Sequence, residues 1–332
     1  MIISKTPYRI SFFGGGSDYP SWYMKREGKV LSTTIDKYVY ISCRYLPPFF
    51  EHKYRIVWSK LETVKKISQI NHNAVREILK YLKIKNGLEI HYDGDLPARS
   101  GMGSSSVFVV GLLNLLNNFL GKNVTKKNLA KESIFFEQKI LNEAVGSQDQ
   151  IAATYGGFNK IKFIKDGNFT VDPINISKNI KNRLNKNLLL VYTGVTRNAQ
   201  DVAKSYINKI KNVKSSNIMN ILNFVNEGEN LLKKGNLNDF GKLLNESWNE
   251  KKGLSKSISN HYMNEIYSYA ISKGALGGKL LGAGGGGFFL FYVPHSKQKN
   301  FIKYLKKFTI IPFNFSNEGS KIVFNKIDNK LF

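Results

Sequence analysis

Residues 97–107 read PARSGMGSSSV, and they lead directly into the apolar stretch 104–120, SSSVFVVGLLNLLNNFL. Glycines and serines stand here where a packed element would carry apolar side chains, so the loop leaves its backbone N–H groups bare. Bare amides that run into a helix N-terminus form a concave anion site that needs no cationic side chain, and phosphate is the natural guest. The helix behind the loop is predicted to run from Ser104 to Leu120 and to stop at Gly121. Being apolar on nearly every face, it belongs in the middle of a domain. Two common phosphate loops are excluded. No Gly-Lys-Ser/Thr follows at the spacing of the nucleotide-hydrolase loop. The dinucleotide fingerprint also fails, because only two glycines lie close together and no acidic residue stands about twenty positions on.

Working outward, residues 2–13 (IISKTPYRISFF) and 29–46 (KVLSTTIDKYVYISCRYL) alternate as strands, and 87–97 (GLEIHYDGDLP) gives another just before the loop. Downstream, a helix is predicted from an N-cap at Thr125 to Gly146. Ser147 and Gln150 stand three apart as in a capping box, which sets Asp149 in the first turn of a short helix closed by Gly156 and Gly157. A helix dipole there favours an ionised Asp149. Residues 158–171 read as a β-hairpin. The polar run NISKNIKNRLNKN (175–187) marks a boundary between two halves, 1–180 and 181–332. The second half opens on the strand NLLLVYTG, continues in amphipathic helices and returns to glycine at KLLGAGGGGFFLFYV. Elements in this order predict an α+β protein of two domains with largely antiparallel sheets.

Composition narrows the classes. A chain of 332 residues with 42% hydrophobic content supports two packed domains of roughly 150 residues each. No run approaches the roughly 18 apolar residues of a membrane span, and MIISKTPYRI has no signal-peptide core, so a soluble cytoplasmic protein is expected. Cys43 is the sole cysteine, in a strand-like run, and reads as a buried apolar residue in a reducing compartment. The formal charge of +26 comes from scattered lysines, not from a basic stripe interleaved with aromatics. Neither nucleic acid nor membrane is therefore expected as a partner. A small anionic substrate gains from the same field.

Three stretches, PYRISFFGGGSDY near the start, PARSGMGSSSV in the middle and KLLGAGGGG near the end, resemble in order and spacing the three signature motifs of the GHMP kinases. The resemblance runs over almost the whole chain and implies the two-domain GHMP fold, with the active site in the cleft between domains and ATP and Mg²⁺ as cofactors. It implies that backbone amides of Ser100, Gly101, Gly103, Ser104, Ser105 and Ser106 wrap the ATP phosphates. It also implies that Ser105 and Glu137 hold the metal. Glu137 stands twelve positions before Asp149, the family's spacing between metal-binding glutamate and catalytic aspartate; an ordinary solvated helical glutamate is the alternative. Asp149 matches the catalytic aspartate, with Arg9 at the position of its cationic companion. Phosphoryl transfer needs an aligned hydroxyl, neutralised phosphate oxygens and cationic stabilisation. Asp149 serves as either a base or a positioner, and Arg9 serves either the carboxylate or the transferring group.

The acceptor is read from departures within the family. Galactokinases carry a Glu-His pair where this chain has Gly15, Gly16 and Ser17 before Asp18, which disfavours galactose. The first loop, GSQDQIAATYGGFN, YTGVTRNAQDV and WNEKKGLSKSIS instead resemble the branch that phosphorylates the anomeric hydroxyl of a seven-carbon sugar 7-phosphate. That implies Asp18 as an acceptor for sugar hydroxyls, an Asx turn before Pro20 being the alternative. The sugar would lie against Gly15, Gly16, Ser17, Thr193, Gly194, Gly284 and Gly285. Arg197, or else an ordinary surface arginine, is the candidate for the distal phosphate. A fucokinase-like enzyme for an unphosphorylated sugar and a non-catalytic sugar and ATP sensor are the competing readings. The sequence leaves the oligomeric state open, a homodimer included.

Overall fold

Strand β1 (Ile2–Phe13) carries the first motif and lies inside a nine-stranded sheet, against β2 (Gly28–Tyr45) on one side. The structure is a computed structural model that describes residues 1–196, 199–210 and 215–326. The β1–β2 register slips between Pro7, opposite Tyr38, and Arg9, opposite Thr34. Proline donates no ladder hydrogen bond, and the resulting bulge re-aims the strand at the point where Arg9 leaves it. Between the strands a short turn, α1 (Pro20–Tyr23), reverses the chain.

Beyond β2 come the small strands β3 (Tyr54–Val57) and β4 (Leu61–Val64), the helix α2 (Asn73–Tyr81) and the strand β5 (Leu88–Gly94). β5 pairs antiparallel with β2 and parallel with β3. Next, α3 (Ser104–Phe119) follows the serine–glycine loop as expected, and its buried side chains, Val107 to Leu116 among them, form the centre of the larger core. Its buried asparagines are satisfied: Asn114 donates to Ser320 and Asn117 to Glu132.

The expected helix 125–146 is shorter. Thr125 caps α4 (Lys126–Phe135), which gives way to a wide π-type turn at Phe136–Ile140 and then to irregular chain. That turn aims Glu137 inward, and such turns gather at functional sites. The helix α5 (Gln148–Tyr155) holds Asp149 in its first turn. The expected capping box is absent: the Ser147 hydroxyl pairs with Tyr23 and Gln138, and Gln150 reaches Glu137 instead of the helix entry. Burial of Glu137 beside Gln150 outweighs the local cap.

Strands β6 (Phe158–Phe163) and β7 (Phe169–Pro173) form the expected hairpin on the first sheet. The polar stretch is helix α6 (Lys178–Asn187), which leads into β8 (Leu188–Tyr192). Helices α7 (Ala199–Ile210), α8 (Ser215–Lys234), α9 (Leu237–Lys252) and α10 (His261–Ser272) follow. Strands β9 (Gly277–Leu280) and β10 (Phe288–Tyr292) flank the third glycine motif. After α11 (His295–Tyr304) and β11 (Thr309–Ile311), a four-stranded antiparallel sheet is complete in the order β11-β8-β10-β9. The chain then returns to the first sheet, where β12 (Phe315–Ser316) pairs with β2 and β13 (Lys321–Asn325) with β1. The described residues are therefore α+β with mostly antiparallel sheets, as the sequence predicts. No described helix is long and apolar enough to cross a membrane.

Candidate active site

The middle and third motifs interlock through their backbones. Phe288 N donates to Ser100 O at 3.1 Å, and a Cβ on Gly287 would lie 2.1 Å from the same oxygen. A Cβ on Gly101 would lie 2.5 Å from Leu281 O, and one on Gly282 would lie 2.5 Å from Gly101 Cα. Only residues without side chains allow this approach. Gly103, with φ of +80°, turns the loop into α3 and leaves that helix without a side-chain cap. Its first amides therefore face outward as anion donors.

In front of them opens a cavity of about 530 Å³, walled by this loop, by β1, by the start of α5 and by residues of α7, α9 and β9. Its floor is an ion pair. Arg9, 2% exposed, donates from Nε and from a terminal nitrogen to the two Asp149 oxygens, each at 2.7 Å, and from its other nitrogen to Gly101 O at 2.9 Å. A planar fork of this kind fixes the carboxylate in position. Asp18 lines the same cavity, with Oδ1 accepting from Gly16 N at 2.9 Å. Burial pushes its carboxyl up to about 6, with the Asp149 charge adding to the effect.

Oxygen-bearing side chains that could hold a metal lie beside the loop. Glu137 is wholly buried under α3 and accepts from Gln150; its Oε1 has no hydrogen-bond partner of normal geometry among the described residues. Burial pushes its carboxyl up to about 8, and the Glu143 charge pushes the same way. Glu143, which the sequence reading missed, lines the cavity and pairs with the side chains of Gln200 and Ser105; burial raises its pKa. No three carboxylate, histidine or thiol groups converge among the described residues. A hard cation bound mainly by phosphate oxygens, with a hydroxyl and one or two carboxylates from the protein, fits this donor set.

The expected residues other than Glu137, Gly194 and Arg197 divide into two groups. Gly15, Gly16, Asp18, Gly101, Gly103, Ser104, Ser105, Ser106, Arg9 and Asp149 line the cavity together. Ser17, Ser100, Thr193, Gly284 and Gly285 stand behind its wall. Ser17 donates to Gly14 O and Lys29 O, and Thr193 donates to Gly287 O at 2.8 Å. Gly285 N donates to Ile258 O. These residues shape the loops, and Gly282 and Ala283 take the place expected of Gly284 and Gly285 at the surface. Gly194 is exposed outside the cavity lining, and Arg197 lies outside the described residues.

Two further regions escaped the sequence reading. At one end Trp58, His72, Tyr92 and Phe108 make an aromatic cradle, with ring centroids 4.8 to 5.3 Å apart from neighbour to neighbour. Glu62 ties this cradle by accepting from the Trp58 indole and from His72 N. An apolar slot rimmed by Asn71 and Asn73 suits a flat heterocycle. At the other end two lysines enter the wall. Lys251 donates to Leu280 O at 2.9 Å and to Gly282 O at 2.5 Å, and Lys279 donates to Phe12 O at 2.6 Å. Burial lowers both pKa values, that of Lys251 to about 7.

Amide-lined phosphate loop, clamped aspartate and base-sized slot together are the equipment of a phosphotransferase that uses ATP and a hydroxyl acceptor. The chain belongs to the GHMP kinase family: residues 65–157 match the GHMP kinases N terminal domain and residues 229–310 the GHMP kinases C terminal domain. It is 32% identical to the D-glycero-alpha-D-manno-heptose 7-phosphate kinase of Campylobacter jejuni, over 96% of this chain and 98% of that protein. It is 26% identical to the bifunctional fucokinase/GDP-fucose pyrophosphorylase of Arabidopsis thaliana, over 88% of this chain but 30% of that one. Among solved structures, a D-glycero-D-manno-heptose 1-phosphate kinase from Bacteroides thetaiotaomicron superimposes with a TM-score of 0.80 at 23% identity, over 98% of this chain and all of that one. The protein is accordingly a sugar kinase of this family.

Proposed function

We propose that this kinase transfers the γ-phosphoryl group of ATP to O1 of D-glycero-D-manno-heptose 7-phosphate, giving the 1,7-bisphosphate used for GDP-heptose and surface polysaccharide. The observation that carries this reading is the 32% identity to a heptose 7-phosphate kinase along 96% of the chain. The small loop at Gly15 and Gly16 beside buried Asp18 supports it, since it leaves room for a long polyol against the backbone.

In this reading adenine occupies the aromatic cradle, and the amides from Gly101 to Ser106 hold the triphosphate. Ser105, Glu137 and Glu143 are the residues that would hold Mg²⁺, which when bound neutralises charge on the phosphate oxygens. Asp18 accepts hydrogen bonds from sugar hydroxyls and so turns O1 toward the loop. Asp149, clamped by Arg9, accepts the O1 proton as the bond from O1 to phosphorus forms and the bond to the bridging oxygen of ADP breaks. Positioning and charge stabilisation carry the chemistry, without a covalent enzyme intermediate.

The fucokinase relatives favour a second reading, a free hexose as acceptor. ADP release measured with heptose 7-phosphate, L-fucose and galactose decides between them, with the product identified by phosphorus and proton NMR. The first reading expects a 1-phosphate ester made from the heptose phosphate alone. Preference for a free hexose overturns it.

A further inference from the structure

We propose that Lys251 is a catalytic residue, whose ammonium group contacts the phosphoryl group as it passes from ATP to the sugar. The inference rests on reading the cleft as the phosphoryl-transfer site.

Lys251 stands in the last turn of helix α9 and lines the cavity, and its Nζ reaches two carbonyl oxygens of the third motif, Leu280 O and Gly282 O. Those residues flank Leu281, whose carbonyl packs on Gly101 of the phosphate loop, and Gly282 itself touches Gly101. The ammonium therefore stands behind the seam where the loops meet, on the side of Arg9, which also donates to Gly101 O. Lys279 lies next to it, 5% exposed. No carboxylate is within ion-pair distance of either lysine among the described residues. Three basic side chains, Arg9, Lys251 and Lys279, thus stand near two carboxylates, Asp149 and Asp18, and Asp149 is already bound by Arg9.

An ammonium withdrawn from water with only carbonyl partners is costly unless an anion completes it. Two anions can enter this cavity, the transferring group and a phosphate already on the sugar. A phosphate at the far end of the sugar lies a chain length away from the acceptor oxygen, whereas Lys251 stands beside Arg9, the partner of Asp149. The transferring group is the one within reach. Its charge spreads over three equatorial oxygens as the bond to ADP breaks and the bond to the acceptor forms, while the acceptor proton goes to Asp149. Lys251 keeps its proton throughout and donates to one of those oxygens.

The test compares wild type, Lys251→Met and Lys251→Arg, with circular dichroism and melting to establish folding. Lys251→Met should lose on the order of 10² to 10³ in kcat. Its affinity for a non-hydrolysable ATP analogue should stay within about threefold. Affinity for ADP with aluminium fluoride and acceptor, a mimic of the transferring group, should fall by a factor comparable to the kcat loss. Lys251→Arg should recover part of kcat and extend activity to higher pH, since the guanidinium stays charged; Arg9, Lys279, Asp18 and Asp149 face the group equally in both proteins.

An undiminished kcat, or a raised KM for the sugar phosphate alone, overturns the proposal, the latter by assigning Lys251 to the substrate's own phosphate. If Lys251→Met does not fold, Lys251→Arg decides, and an alkaline limb identical to wild type overturns the proposal. Activity of the wild type on a free sugar instead of heptose 7-phosphate defeats only the substrate reading, and the same variants are then compared on that sugar.

Discussion

Replacing Gly287 by alanine should disable the phosphate loop from a position that lines no part of the cavity. Gly287 has φ of +101°, where an L-residue costs about 1 to 2 kcal/mol. The new methyl would lie 2.1 Å from Ser100 O, so the two segments must part by about 1.3 Å or more to reach ordinary contact. That movement strains the Phe288 N to Ser100 O bond and the paired bonds from Thr193 to Gly287 O, each worth about 1 kcal/mol. The sum is about 3 to 5 kcal/mol, which lowers the melting temperature by about 5 to 10 °C. Ser100 begins the loop, and a displacement of about 1 Å at reacting groups costs on the order of 10² in turnover. Gly167→Ala is the control: φ is +82° but open space surrounds it, so it should show the backbone cost alone and full activity. Calorimetry and an ADP-release assay on both variants provide the measurement. A Gly287→Ala protein that melts no lower than Gly167→Ala and turns over like wild type would refute the interlock argument.

Asp149→Asn should lower kcat by on the order of 10² to 10⁴ while ATP-analogue affinity stays near wild type in equilibrium binding, because the change removes the proposed proton acceptor and half of the Arg9 clamp. Glu137 keeps its proton in the folded protein up to about pH 8 but releases it near 4.5 when unfolded, so its contribution to stability is lost as pH rises from 4.5 to 8. In metal-free buffer Glu137→Gln should therefore melt above wild type by a few °C near pH 8 and match it below pH 4.5; a constant difference across that range would contradict the burial cause. Cys43, wholly buried and with its thiol pushed up by desolvation, should resist a thiol reagent in the native protein and react fully in denaturant.

Local signals were enough for much of this architecture. A continuous apolar run behind a glycine–serine loop can be little else than a buried helix, and α3 is one. The place of Asp149 in the first turn of a short helix was legible, though the cap that predicted it is not made. Failures occurred where distant contacts prevail over neighbours. The Ser147 and Gln150 spacing promised a cap, but Gln150 instead serves Glu137, thirteen residues earlier in the chain. Ser17 and Thr193 read as sugar contacts and turned out to brace the chain, since a hydroxyl beside a glycine loop looks the same in sequence in either role. Lys251 and Lys279 resemble every other lysine in a chain with fifty Lys and Arg residues; only folding brings these two into the cavity wall, the first half-buried and the second buried. The aromatic cradle draws on β3 to β5 and on α2 and α3, segments too short or too mixed to announce a common site.

Strand β13 has one further consequence. It pairs Asn325 with Ile2 and Lys321 with Lys5, so the strand that bears Arg9 is zipped along its outer edge by residues the ribosome adds more than three hundred codons later. Until then that edge offers unsatisfied amides to any passing strand. The strand that carries Arg9 is thus completed late in synthesis, and partly made chains present an open sheet edge.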